Sequence, residues 1–95
     1  MDAQTILSTA AGLIQGDRQQ THGDVARTQA RIARYWSAYL GIDVSGADVA
    51  LMMALLKIAR TQAGAHNPDN YVDQAAYGAI AGQIAATEAL ARQAG

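Results

Sequence analysis

The residues of this chain best placed to do chemistry are two cations followed by two acids and a phenol. Lys57 is the only lysine, and Arg60 follows three residues later, so on a helix both cations share one face. Asp69, Asp73 and Tyr77 recur every four residues and line one side of the next helix, near its start. Two carboxylates at that spacing suit Mg²⁺, a hard cation that binds through oxygen ligands together with substrate phosphates. They equally suit ion pairs with Lys57 and Arg60. The short connection between the two segments implies an antiparallel hairpin, which would cluster all four charges. One reading is a salt-bridge network that fixes the hairpin. In the other, the cations and the helix N-terminus receive phosphate oxygens while a carboxylate takes a ribose hydroxyl or a metal.

Other groups offer less specific chemistry. Arg18 and His22 sit in the polar, glycine-bounded stretch GDRQQTHGD, where His22 is a general base, a ligand-contacting donor or simply a turn residue. Tyr35, Trp36 and Tyr39 supply most of the flat surface in a chain without phenylalanine. They read as core or interface packing, or as a platform on which a purine stacks. Arg27, Arg31 and Arg34 share a helix face that either binds phosphates or is solvated. His66 reads as an exposed loop histidine. Neither histidine has metal-pair spacing, and no Gly-rich phosphate loop, nucleophile motif or zinc signature occurs.

These groups need four helices to hold them. Ile6, Leu7, Ala10, Leu13 and Ile14 mark an amphipathic helix from Asp2 to Gln15, stopped by Gly16. A second begins near Gly23 or Asp24 and runs to Leu40, with Gly41 ending it. Ser45 caps a third, with Asp48 as its capping-box partner. That third segment, ADVALMMALLKIAR, has no polar side chain between Val49 and Leu56 and is expected to be enclosed by the others. Gly64 offers a left-handed cap, and Asn67 and Pro68 restart a fourth helix that persists to about Gln93. Val72, Ala76, Ile80 and Ile84 form its inward row. Gly78 and Gly82 each cost about 1 kcal/mol against alanine in a helix, a cost that close approach of another helix would offset. The Ala-rich tail from Ala79 to Gly95 is the expected docking place for a partner subunit, or else packs within the chain.

The 95 residues fit a single all-α domain, 1–95. A chain of this size buries only about 60–65% of its unfolded surface, and its 51% hydrophobic content is largely alanine. A helical homo-oligomer is therefore expected. Net charge is −1, which gives no field to attract nucleic acid or an anionic membrane. The apolar third segment is too short to span a bilayer. No cysteine is present, and the N-terminus lacks a basic region followed by an apolar run, so the expected location is the cytoplasm.

Read together, IARYWSAYLG, DVALMMALLKIAR and DNYVDQAAY, preceded by Arg18 and by His22-Gly23, resemble a family of small uncharacterised phage-encoded all-helical domains. The resemblance runs from Arg18 to about Tyr77. Where that family has YG this chain has HG, and where it commonly has DIAGY this chain has DQAAY. The positions the resemblance carries over are Arg18, Gly23, Trp36, Lys57, Arg60, Asp69, Asp73 and Tyr77. It also implies a distant similarity, in fold and motif style, to phage nucleotide-modification domains and to all-α nucleoside triphosphate pyrophosphatases.

Three functions compete. The first is binding of a phosphorylated or cyclic nucleotide without turnover, such as a host immune signal, in the cytoplasm of an infected bacterium. Lys57 and Arg60 would take phosphates, Trp36 or Tyr77 would wall the pocket, and Asp69 or Asp73 would orient a cation or sugar hydroxyl; no cofactor is needed. The second is a Mg²⁺-dependent nucleoside triphosphate pyrophosphohydrolase in which Asp69 and Asp73 hold the metal. Such enzymes draw two acid pairs from two helices, whereas this chain offers one pair and a solitary Glu88. The third is a protein-binding helical adaptor in which Lys57 and Asp73 are structural partners only.

Overall fold

The computed structural model describes residues 1–15 and 24–94, and among them every regular element is a helix. In chain order these are α1 (Ala3–Ile14), α2 (Val25–Leu40), α3 (Gly46–Arg60) and α4 (Pro68–Ala94). Each boundary is set by local chemistry that satisfies the orphan backbone groups of a helix end. Asp2 accepts from the Thr5 N–H at 2.8 Å to start α1, and hydrogen bonds from Thr5 hold its carboxyl below the ordinary value. Asp24 accepts from the Ala26 N–H to start α2, which Gly41 ends in the left-handed region at φ 75°. Ser45 and Asp48 form a reciprocal capping box, with both bonds at 3.0 Å. Asn67 accepts from the Asp69 N–H at 3.0 Å, so α4 starts at Pro68.

The molecule is organised around α4 and not, as the apolar run suggested, around α3. Val72, Ala76, Ile80, Ala81 and Ile84 are all buried on α4. The Val72 and Ala76 side meets Ala10, Ile6 and Leu13 of α1, while Ile80, Ala81 and Ile84 meet Ala47 and Ala50 of α3. α2 lies mainly against α3, burying Gln29 and Ala33. Six of the ten buried apolar residues are alanine, so helices approach closely but enclose little volume.

For that reason α3 is covered on one side only. Val49 and Ala50 are fully buried, yet Leu51, Met52, Leu55, Leu56 and Ile58 remain 39–62% exposed. The expected enclosure fails because three thin, Ala-rich neighbours cannot surround a fourth helix. The aromatic cluster is likewise not core: Tyr35 and Tyr39 are 73% and 90% exposed, because the C-terminal half of α2 runs beyond the packed region. The radius of gyration, 14.4 Å, exceeds the about 12 Å of a compact domain of this length. Gly41 takes positive φ and ends α2, as its helix-stop reading requires; Gly64 also takes positive φ, but α3 already ends at Arg60 with Thr61 as its cap, so Gly64 turns the connection and does not cap the helix. Gly78 and Gly82, by contrast, face open space, with nothing within 4 Å of an added Cβ. Among the described residues no helix approaches them, so packing within the chain accounts for neither glycine.

Gly78→Ala and Gly82→Ala should therefore each stabilise the chain by about 1 kcal/mol, raising the melting temperature by about 4–8 °C apiece. Differential scanning calorimetry checks this; a drop in melting temperature would place a second helix on that face.

Candidate functional site

α1, α3 and α4 converge around a cavity of about 180 Å³ lined by Leu13, Ile14, Lys57, Asp73, Ala76, Tyr77 and Ile80. Each element contributes for a different reason. The row that buries Val72 and Ile80 against α1 and α3 carries Asp73 and Tyr77 on its α3-facing edge, since Asp73 lies three residues before Ala76 and seven before Ile80, and Tyr77 three before Ile80, spacings that keep residues on one helix face. The same geometry turns Lys57 inward, because it lies seven residues after the buried Ala50. Leu13 and Ile14 close the cavity from the last turn of α1.

The polar centre is an ion pair, Lys57 Nζ to Asp73 Oδ2 at 3.0 Å, with the side chains 15% and 30% exposed. A lysine ammonium carries three donors, and Asp73 is its one carboxylate partner among the described residues. Among the described residues no hydrogen bond engages the remaining donors, the second carboxylate oxygen or the Tyr77 phenol. A group that presents an anionic or hydroxyl oxygen would find donors and an acceptor side by side against an aliphatic wall. The volume lies below the about 300–1,000 Å³ typical of sites for drug-sized ligands and leaves room for a phosphoryl or sugar-sized moiety rather than a whole nucleotide.

The structure thus brings together Lys57, Asp73 and Tyr77. It does not bring Arg60 and Asp69 into the same cluster: both are exposed, neither lines the cavity, and no ion pair joins them among the described residues. The four-charge network expected of the hairpin is in fact one pair. Arg60 is the last residue of α3 and Asp69 the second of α4, so both sit at the mouth of the connection, where water competes for them. Trp36, half-buried on α2, does not line the cavity. Arg18 and His22 lie outside the described residues, as does Gly23. Arg27, Arg31 and Arg34 are exposed, in keeping with a solvated stripe, although Arg34 also borders a broad open depression of about 600 Å³ between α2 and the start of α3. No three of His, Cys, Asp and Glu gather into a metal-binding group among the described residues.

Sequence reasoning missed the α1 wall. Leu13 and Ile14 read only as an apolar stripe, and spacing gave no sign that their helix end would cover Lys57. It also passed over a second recess of about 210 Å³ at the α3–α4 connection. There His66 lies 5.9 Å from Tyr71, ring centre to ring centre. No described helix is long and apolar enough to cross a membrane.

Comparison with known proteins adds a family. A family model described as a domain of unknown function (DUF6378) matches residues 5–85, which include every residue lining the Lys57 cavity. The chain is similar to the Gene 55 protein of Mycobacterium phage L5, 43% identical over 77 residues covering 80% of this chain and 49% of that protein. It is also similar to the Gene 55 protein of Mycobacterium phage D29, 36% identical over 75 residues covering 79% of this chain and 50% of that protein. The chain therefore spans about half the length of these relatives. No solved structure matches.

Removing Asp73 leaves a largely buried ammonium without its anion, so Asp73→Ala should cost about 1–3 kcal/mol. The double variant Lys57→Met/Asp73→Ala should recover part of that, giving a coupling of about 0.5–3 kcal/mol in a double-mutant cycle with Lys57→Met and Asp73→Ala. Urea unfolding of the single and double variants measures it, and additive effects would show that the pair does not interact.

Proposed function

The chain belongs to this family of domains of unknown function, and we propose that it binds a phosphorylated small molecule, a linear or cyclic nucleotide, at the α1–α3–α4 cavity without turning it over. The observation that carries this reading is the Lys57–Asp73 pair lining a recess beside Tyr77. Lys57 supplies the donors for a phosphate oxygen, Asp73 accepts from a ribose hydroxyl, and Tyr77 with Leu13 and Ile80 walls the apolar part. The base lies outside the recess, over its mouth.

Binding without turnover is favoured because, among the described residues, the cavity holds one carboxylate, and phosphoryl hydrolysis through Mg²⁺ needs more anionic oxygens than that to fix the metal. Relatives encoded by phages give such a binder a use, the capture of a nucleotide that an infected host employs as a signal, carried out in the host cytoplasm by an oligomer of small subunits. A second reading, a protein-binding helical module, is favoured by the exposed apolar side of α3. It predicts no nucleotide affinity at all.

Thermal-shift and calorimetric titration with linear and cyclic nucleotides, with and without Mg²⁺, test the proposal. A ligand present at about 100 times its Kd stabilises the fold by about 2.7 kcal/mol, a rise of several degrees. Tyr77→Phe should weaken the response and Lys57→Met should remove it while the variant stays helical. Absence of any shift at millimolar nucleotide, or an undiminished shift in Lys57→Met, would sink the reading, and Mg²⁺-dependent release of pyrophosphate would replace it with an enzyme.

A further inference from the structure

α3 carries two unlike sides. Ala50 and Lys57 face the rest of the molecule, while Leu51, Met52, Leu55, Leu56 and Ile58 project on the other side with 39–62% of their surface open; Val49, seven residues before Leu56, lies at the edge of that side and is fully buried. At 3.6 residues per turn these five make one continuous apolar strip. Asp48 lies seven residues before Leu55, near the midline of the strip, exposed and accepting from the Ser45 N–H, while Gln62 lies in the turn just beyond α3. Arg60 flanks its C-terminal end, exposed and in no ion pair among the described residues.

We propose that two copies of this chain pair antiparallel through α3, about a two-fold axis beside Leu55. Two features point to a second copy as the occupant. The first is charge. Antiparallel pairing lays Asp48 of one copy beside Gln62 and Arg60 of the other, twice over, and opposes the helix dipoles favourably. A parallel pair would bring Asp48 level with Asp48 and Arg60 level with Arg60. The second is area. Exposures of 39–62% on five large apolar side chains leave roughly 400 Å² of apolar surface per copy, within the range of a monomer's largest patch. Pairing two such strips covers about 800 Å² in total, the size of a weak, transient contact between proteins. A self-complementary strip also fits the closed two-fold symmetry that most homo-oligomers adopt. In this register Leu51 packs against Ile58 of the other copy and Leu55 against its own equivalent. The pairing is independent of the nucleotide reading, because Lys57 faces the other side of α3 and its cavity stays open.

The interface is small, so the dimer is reversible, and sedimentation equilibrium of the full chain should show the mass doubling across the micromolar range. Leu55→Glu sets two carboxylates against each other on the axis and should abolish the doubling with helical circular dichroism unchanged. Leu7→Glu, at an exposed position on α1, should leave it intact. Because the chain has no cysteine, single cysteines report the register. A mixture of Leu51→Cys and Ile58→Cys proteins should form a mixed disulfide far faster than either protein cross-links to itself. A single-chain mass up to millimolar concentration, a dimer indifferent to Leu55→Glu, or self-cross-linking of each cysteine variant would each overturn the proposal.

Discussion

Contact along one face of α4 is the constraint from which the remaining structure follows. Val72, Ala76, Ile80 and Ile84 are spaced so that each falls beneath the next, and they give α1 and α3 a common surface to pack on. Alanine supplies six of the ten buried apolar residues packed on and around that surface, and its small side chain lets helix backbones come close and gain dispersion contacts at native packing density. What alanine does not give is bulk. The largest fully buried side chain is Val49, and a core so thin holds three helices against one another without wrapping any of them.

Both functional features arise from this economy of volume. Where α1 ends against the hairpin of α3 and α4, the packed layer is interrupted by a lysine and an aspartate instead of two more alanines. An ion pair at a three-helix junction needs room and hydrogen-bonding partners, and the recess beside Tyr77 is that room. A partly buried pair of this sort contributes little net stability, since desolvation offsets most of the attraction. Its worth lies in the unused donors and acceptor it presents, in a place where the dielectric is lower than in water. On the far side of α3 the same shortage leaves five large aliphatic residues in solvent, at a hydrophobic cost that only another surface removes.

How far the sequence could be read differs from one residue to the next. Ser45 with Asp48, Asn67 with Pro68, and Gly41 announced their helix ends, because capping is decided within one turn of chain. The inward row of α4 was legible for a similar reason, since a helical period is a property of the segment alone. Lys57 and Asp73 could be paired by supposing an antiparallel hairpin, and they are paired. Arg60 and Asp69 invited the same inference and fail it, because a helix end also turns away from its neighbour, and that turn is set by the connection as a whole.

The sequence by itself determined the four helices of the described residues, most of their ends, and which side of α4 goes inward, all of which depend on short-range dihedral and capping energetics. The tertiary structure alone decided which helix is central, that the most apolar segment is only half covered, and that α1 closes a recess over Lys57. Those outcomes depend on how much volume neighbouring helices can fill, a quantity that belongs to the assembled set and to no segment within it.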